Sequence, residues 1–166
     1  MKITTQPLHE CREEFSDIAL LAEKSSGRDW VLKDLRRLSR SGAYITAIRD
    51  CGRIVSVAIH GKASLYIKWS DIPDVVSAIS DRGIHLYRIA CGSHVYTDPE
   101  YNRQGLATQV FEARAAWSLK AGYSYTYAGS LGSVSVHNWA LTLPGAIGLG
   151  VNDETGREIL LFDLKA

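Results

Sequence analysis

Cysteine is scarce in this chain: Cys11, Cys51 and Cys91 are the only three, widely spaced and with no C-x-x-C pair. An odd, scattered set excludes a disulfide framework and a cysteine-based zinc site, and fits reduced thiols. Long apolar runs are also lacking. No stretch approaches the ~20 residues that span a bilayer. The opening Met1-Lys2-Ile3-Thr4-Thr5-Gln6 carries no apolar core of a secretory leader. A cytoplasmic protein with no membrane partner is expected. Charge of one sign is missing as well. Nineteen basic and 18 acidic residues leave +1, too balanced for a protein that lives on nonspecific phosphate contacts, so nucleic acid is not an expected partner. There is no G-x-x-x-x-G-K-[ST] loop, no H-E-x-x-H helix and no G-x-S-x-G elbow. The five histidines do not pair at ligand spacing, and no metal is expected.

What is present is an ordinary globular composition. A 46% apolar fraction in 166 residues is enough to bury a core without staples. The expectation is one domain over 1–166. Residues 3–8 read as a strand. Helical spacing follows from Glu10, with Cys11, Phe15, Ile18 and Ala22 on one face and Glu10, Glu13 and Glu14 in the first turn. Asp29 is the expected cap of a second helix that buries Val31, Leu35 and Leu38. Residues 43–49 and 54–59 read as a hairpin turning at Asp50-Cys51-Gly52-Arg53. A short helix starts at Ser70 or Asp71 with Pro73 early. His85–Thr97 is β-like, and Gly92 within it marks a bulge or a close approach of another group. A helix over 105–121 buries Leu106, Val110, Ala113 and Trp117. Strand 123–128, helix 134–143 and a hairpin of 147–151 with 158–164 complete the chain. The element order reads as α+β.

The informative stretch is His94-Val95-Tyr96-Thr97-Asp98-Pro99-Glu100-Tyr101-Asn102-Arg103-Gln104-Gly105-Leu106-Ala107-Thr108. A strand runs through a proline corner into a polar, glycine-bearing turn, and a periodic helix follows at once. The first amides of a helix have no intrahelical partner, and the dipole's positive end points the same way. An anion fits there. On the residues alone the turn reads equally as a phosphate cradle or as a plain polar helix entry.

At this point the chain resembles the GNAT superfamily of N-acyltransferases. Members carry Gln or Arg, two variable residues, Gly, one variable residue, then Gly or Ala. Asn102-Arg103-Gln104-Gly105-Leu106-Ala107 fits that frame except at Asn102. The resemblance is specific over 95–108 and extends in element order over roughly 43–166. It implies a mixed, mostly antiparallel twisted sheet flanked by helices, and acetyl-CoA as acyl donor. Asn102, Arg103, Gln104, Gly105, Leu106, Ala107 and Thr108 would cradle its pyrophosphate. Backbone of Val95, Tyr96 and Thr97 would pair with the pantetheine arm as an added strand. Asn138, on the helix that looks like the family's fourth, would touch that arm. The family's tyrosine acid has no counterpart in Leu143-Pro144-Gly145-Ala146.

Acyl transfer to an amine needs a neutral amine, donors for the oxyanion and a proton for the thiolate. His94 is a candidate base because histidine titrates in the useful range, and it also reads as a satisfied strand histidine. Asp98 and Glu100 are alternatives that also read as corner caps. Tyr127, Tyr125 and His137 are the candidate acids, each with a packing or capping reading beside it. Arg28 and Trp30 lie where the family borders its acceptor pocket. Arg28 suits an acidic group of the acceptor, and Trp30 reads as pocket wall or core. Arg36, Arg37, Arg40 and Arg49 cluster in sequence, as a solvated face or an anion contact. The implied activity is acetyl transfer to a primary amine, of a small molecule or a protein, by direct attack, with a homodimer as the implied assembly. The alternative is a catalytically weak or inactive binding or regulatory module on the same fold, acting through a protein partner.

Overall fold

The computed structural model describes residues 1–129 and 134–166. Seven strands form one mixed sheet in the order β1-β2-β3-β4-β5-β7-β6, here β1 Lys2–Pro7, β2 Tyr44–Asp50, β3 Arg53–Lys62, β4 Ile89–Thr97, β5 Tyr125–Gly129, β6 Ala146–Val151 and β7 Glu158–Asp163. Helices flank the sheet; β1–β2, β2–β3, β5–β7 and β6–β7 pair antiparallel, and β4–β5 pairs parallel. The expected mixed, mostly antiparallel α+β fold is therefore what forms. The chain divides into two compact units, Met1–Gly61 with Gly92–Trp117, and Lys62–Cys91 with Ser118–Ala166.

The first unit holds the meander β1-β2-β3, with α1 Phe15–Ser26, α2 Val31–Arg40 and most of α4 Leu106–Lys120. Ile18, Ala22, Val31, Leu35 and Leu38 are fully buried, so the expected helical stripes face the core. Truncating one such leucine to alanine costs about 2–5 kcal/mol. The hairpin turns on Cys51 (φ 49°) and Gly52 (φ 82°), two successive left-handed residues that match the strand twist. On α4, Leu106 and Val110 pack with Ile48, Val55 and Ala58.

The N-terminal end differs from expectation. Leu8–Glu14 is a 3-10 segment with Cys11 off helical angles (φ −105°, ψ 21°), and α1 starts only at Phe15. Leu8 and Cys11, three apart, are both buried, a spacing that suits 3-10 winding. Glu14 is meanwhile held by Arg49 through two bonds, 2.9 and 2.6 Å. Asp17 takes the first-turn position of α1 instead of Glu10, Glu13 and Glu14. Asp29 is not the cap of α2. Trp30 occupies that position without a side-chain bond, and Asp34 is the acid of the first turn.

In the second unit, α3 Pro73–Ser80 begins with proline at its first turn, but Ser70 and Asp71 belong to a preceding 3-10 turn and Ile72 precedes the helix. Val75, Ile79, Ile84, Ile89, Cys91, Leu149 and Leu161 form the buried cluster. β4 starts at Ile89 rather than His85, because Leu86–Arg88 makes a 3-10 turn. Its parallel pairing with β5 runs Ile89↔Tyr125, Ala90↔Thr126 and Cys91↔Tyr127, while the strand itself continues to Thr97. α5 is Val134–Leu141, and β6 and β7 form the terminal hairpin.

Candidate active site

The corner after β4 is built first. Asp98 is buried, and its Oδ1 accepts the Glu100 amide at 3.0 Å, capping the turn Pro99–Tyr101. Lys24 reaches the same carboxylate at 2.7 Å, and Arg53 binds its other oxygen. Burial pushes the Asp98 carboxyl up, but Lys24, the Glu100 amide and Arg53 outweigh it and hold the group below its usual range. The hydroxyl of Tyr101 donates to Asp50 at 2.8 Å while its ring packs on the Ile48–Val55–Leu106 cluster. Of the two readings of Asp98, the geometry matches the corner cap.

From this fixed corner the chain emerges into solvent. Asn102, Arg103, Gln104 and Gly105 are all exposed. Arg103 (φ 63°) and Gly105 (φ 72°) are left-handed, with Gln104 between them. Left-handed residues in such a turn are how successive backbone amides come to converge on one anion. A Cβ on Gly105 would meet nothing within 4 Å, so the glycine serves backbone angle rather than room. Gln109 N bonds Gly105 O at 3.1 Å, which starts α4 directly behind the turn. Leu106 anchors the helix head in the core, with Ala107 and Thr108 half-buried behind it.

The inner face of β4 carries a second arrangement. Val95 is exposed, but His94 and Tyr96 on either side of it are buried. His94 is left-handed (φ 52°), a conformation that costs a non-glycine residue about 1 kcal/mol or more. Its Nε2 lies 2.5 Å from Asp34 Oδ2 and its Nδ1 lies 2.9 Å from the Tyr96 hydroxyl. Trp30 stands edge-on to the imidazole at 5.5 Å, and Arg28 sits 5.8 Å from the Trp30 ring centroid. Trp30 is 51% exposed, which decides against its reading as core. Burial pulls the His94 ring below its ordinary pKa, and Asp34 offsets only part of that. For Asp34 burial works upward, but the bonds from His94 and Arg37 win and keep the carboxyl low. Thr97 Oγ1 meets Ser56 Oγ at 2.9 Å.

The structure thus gathers His94, Tyr96, Arg28 and Trp30, which the sequence distributes over three roles. It adds Asp34, which sequence reasoning misses. The one available signal, an acid in the first turn of α2, does not reveal a partner 60 positions away. The arginine cluster disperses. Arg37 pairs with Asp34 and Arg49 with Glu14, whereas Arg36 and Arg40 line a cleft of about 290 Å³ with Arg12.

In the second unit, Tyr127 is half-buried and edge-on to Trp69 at 5.7 Å; burial, then Cys91, raises its phenol. His137 is buried on α5 with no hydrogen-bond partner at Nδ1 among the described residues, and Asn138 beside it is exposed. Among the described residues, no group of three His, Cys, Asp or Glu is placed to hold a metal ion, and no helix is long and apolar enough to cross a membrane.

No protein-family model matches this sequence, and no curated protein does. Solved structures do match. A GNAT-family protein from Desulfovibrio desulfuricans superposes with a TM-score of 0.70 at 11% identity, over 98% of each chain. A GNAT family N-acetyltransferase from Escherichia coli in complex with CoA gives 0.65 at 15%, over 98% of this chain and 81% of that one. The ribosomal-protein-S18-alanine N-acetyltransferase from Escherichia coli gives 0.63 at 14%, over 98% and 94%.

Proposed function

We propose that this chain, which has the fold of the GNAT N-acyltransferases, transfers an acetyl group from acetyl-CoA to a primary amine by direct attack. The observation that carries the proposal is the exposed turn Asn102–Gly105, with two left-handed residues opening onto the head of α4. Backbone amides from Asn102 to Thr108 are assigned to the pyrophosphate, and exposed Arg103 adds a charge that suits it. The backbone of Val95, Tyr96 and Thr97 is assigned to the pantetheine arm, which would add to β4 as a strand adds to an edge. Acetyl-CoA would supply the activated acyl thioester. Arg28 and Trp30 are assigned to the acceptor, Asn138 to the cofactor arm, and Tyr127 or His137 to the acid. A homodimer belongs to the same reading and is checked by sedimentation.

The test is thermal. Coenzyme A at a hundred times its dissociation constant stabilises a folded protein by about 2.7 kcal/mol, which reads as a rise in melting temperature. Incubation of acetyl-CoA with a panel of amines should then yield acetylated product by mass. No shift at saturating coenzyme A sinks the proposal. A binding module without turnover is the second reading. It is favoured by Leu143-Pro144-Gly145-Ala146, which has no tyrosine for the thiolate. Stabilisation without any acetylated amine selects it.

A further inference from the structure

Resting on the acyl-transfer reading, the buried array of the first unit gives the acceptor's proton a destination. Arg37 holds Asp34 Oδ1 from two nitrogens, at 2.8 and 2.7 Å, and leaves Oδ2 to His94. An ionised carboxylate only accepts hydrogen bonds, so His94 Nε2 must carry the proton between them. A ring kept neutral by burial has one N–H, and Nδ1 is then an acceptor. The hydroxyl of Tyr96 therefore donates to Nδ1 across 2.9 Å. All donors point one way, from Tyr96 to His94 to Asp34.

Of the two lone pairs on the phenol oxygen, one takes a hydrogen bond from Arg28, and the other is left to a donor outside the array. By donating to it, Arg28 opposes the effect of burial on this phenol, and exposed Arg28 and Trp30 mark the way to solvent. The backbone has a matching peculiarity. His94 holds its left-handed angle inside a strand with both ring nitrogens engaged, and strain of this kind persists where the surroundings over-determine it, commonly at functional sites.

We infer that Asp34, His94 and Tyr96 are a proton relay for the acceptor amine, with Tyr96 Oη as the group that meets the ammonium. One ammonium N–H bond breaks as an O–H bond forms on Tyr96. The original phenol proton moves to His94 Nδ1, and Asp34 holds the imidazolium. The neutral amine attacks, its second proton ends on the thiol, and the relay proton leaves to solvent through Tyr96. Tyr96 is the catalytic residue, and His94 and Asp34 position and drive it. The charged or titratable groups facing His94 are Asp34 and Arg37 of α2, Arg28 of the preceding connection and Tyr96 of β4.

Nitrogen NMR of the imidazole in the whole protein tests the array without turnover. The expected result is a protonated Nε2 and a bare Nδ1 at pH 7, with Asp34→Asn shifting the proton toward Nδ1. A wild-type ring protonated on Nδ1 alone overturns the relay, whatever the protein acetylates. In turnover, Tyr96→Phe should lower kcat about 10²–10³-fold, leave coenzyme A stabilisation in place and remove the acidic limb of the pH profile. That limb falls with loss of proton uptake by His94, at a pH below the ordinary histidine value. Full activity with an unchanged limb in a folded Tyr96→Phe protein also overturns it. Failure of coenzyme A to bind the wild type defeats the acyl-transfer reading instead, and the NMR result stands apart from it.

Discussion

A methyl group on Gly92 would lie 1.8 Å from Nη1 of Arg114. Arg114 is itself 6% exposed, with its guanidinium 5.1 Å from the Phe111 ring centroid. Gly92 is not among the left-handed glycines, so here the residue serves room and not backbone angle. Gly92→Ala must push a buried guanidinium aside. The expected cost is about 1–3 kcal/mol, read as a lower urea midpoint with an unchanged slope. A midpoint equal to wild type would show that the arginine yields freely.

His60 gives a pH prediction of definite sign. It is fully buried, its Nε2 meets Thr46 Oγ1 at 2.8 Å, and its Nδ1 has no hydrogen-bond partner among the described residues. Burial first, then the charge of Arg114, lowers its pKa to about 3. The unfolded chain takes up the proton near 6.5. Between these values the unfolded state binds more protons, so stability is full above about pH 6.5 and falls as pH drops toward about 3. The slope from this residue is about 1.4 kcal/mol per pH unit. His94, also held low, adds the same sign. Urea titrations at pH 7, 6 and 5 should show the decline, and His60→Gln should flatten it by about one proton.

These two sites show what a sequence reveals of this protein and what it hides. Local features were legible. The turn chemistry of Asp50–Arg53, the stripes of α1 and α2 and the glycine in β4 all follow from neighbours along the chain. The exposed turn ahead of α4 was legible because a strand, corner, turn and helix head are contiguous. The array at His94 was not, because Asp34 and His94 meet only through folding of α2 onto β4. The cap of α2 failed for a related reason. Asp29 had the right chemistry, but Trp30 took the helix entry and reaches His94 through its ring, a tertiary contact that no local rule anticipates.

The left-handed angle of Gly105 predicts a rank order. Nothing lies within 4 Å of a Cβ at Gly105, so substitutions there differ only in how well they tolerate a φ of +72°. Asparagine tolerates the left-handed region best, alanine less, and valine least. Losses in stability should rise in that order from a few tenths to about 2 kcal/mol. The melting-temperature rise given by coenzyme A should shrink in the same order. Equal losses for all three would mean that the turn does not need the left-handed angle.

The corner supplies the last test, because Asp98 lies four residues from His94 and could be mistaken for the base. Its bonds to the Glu100 amide, Lys24 and Arg53 make it a cap and a charge anchor. A carboxyl held below its usual pKa stabilises the fold above the unfolded value, near 3.9, and loses that contribution as pH falls through the folded one. Asp98→Ala strips the cap and leaves the cations facing an empty position, at a cost of about 2 kcal/mol. Asp98→Asn keeps an oxygen for Glu100 N and should cost less. Both proteins, once folded, should retain the pH profile of amine acetylation, since the proton of the acceptor goes to Tyr96. If Asp98→Asn melts near wild type yet loses the acidic limb, the corner reading fails and Asp98 takes the base role in its place.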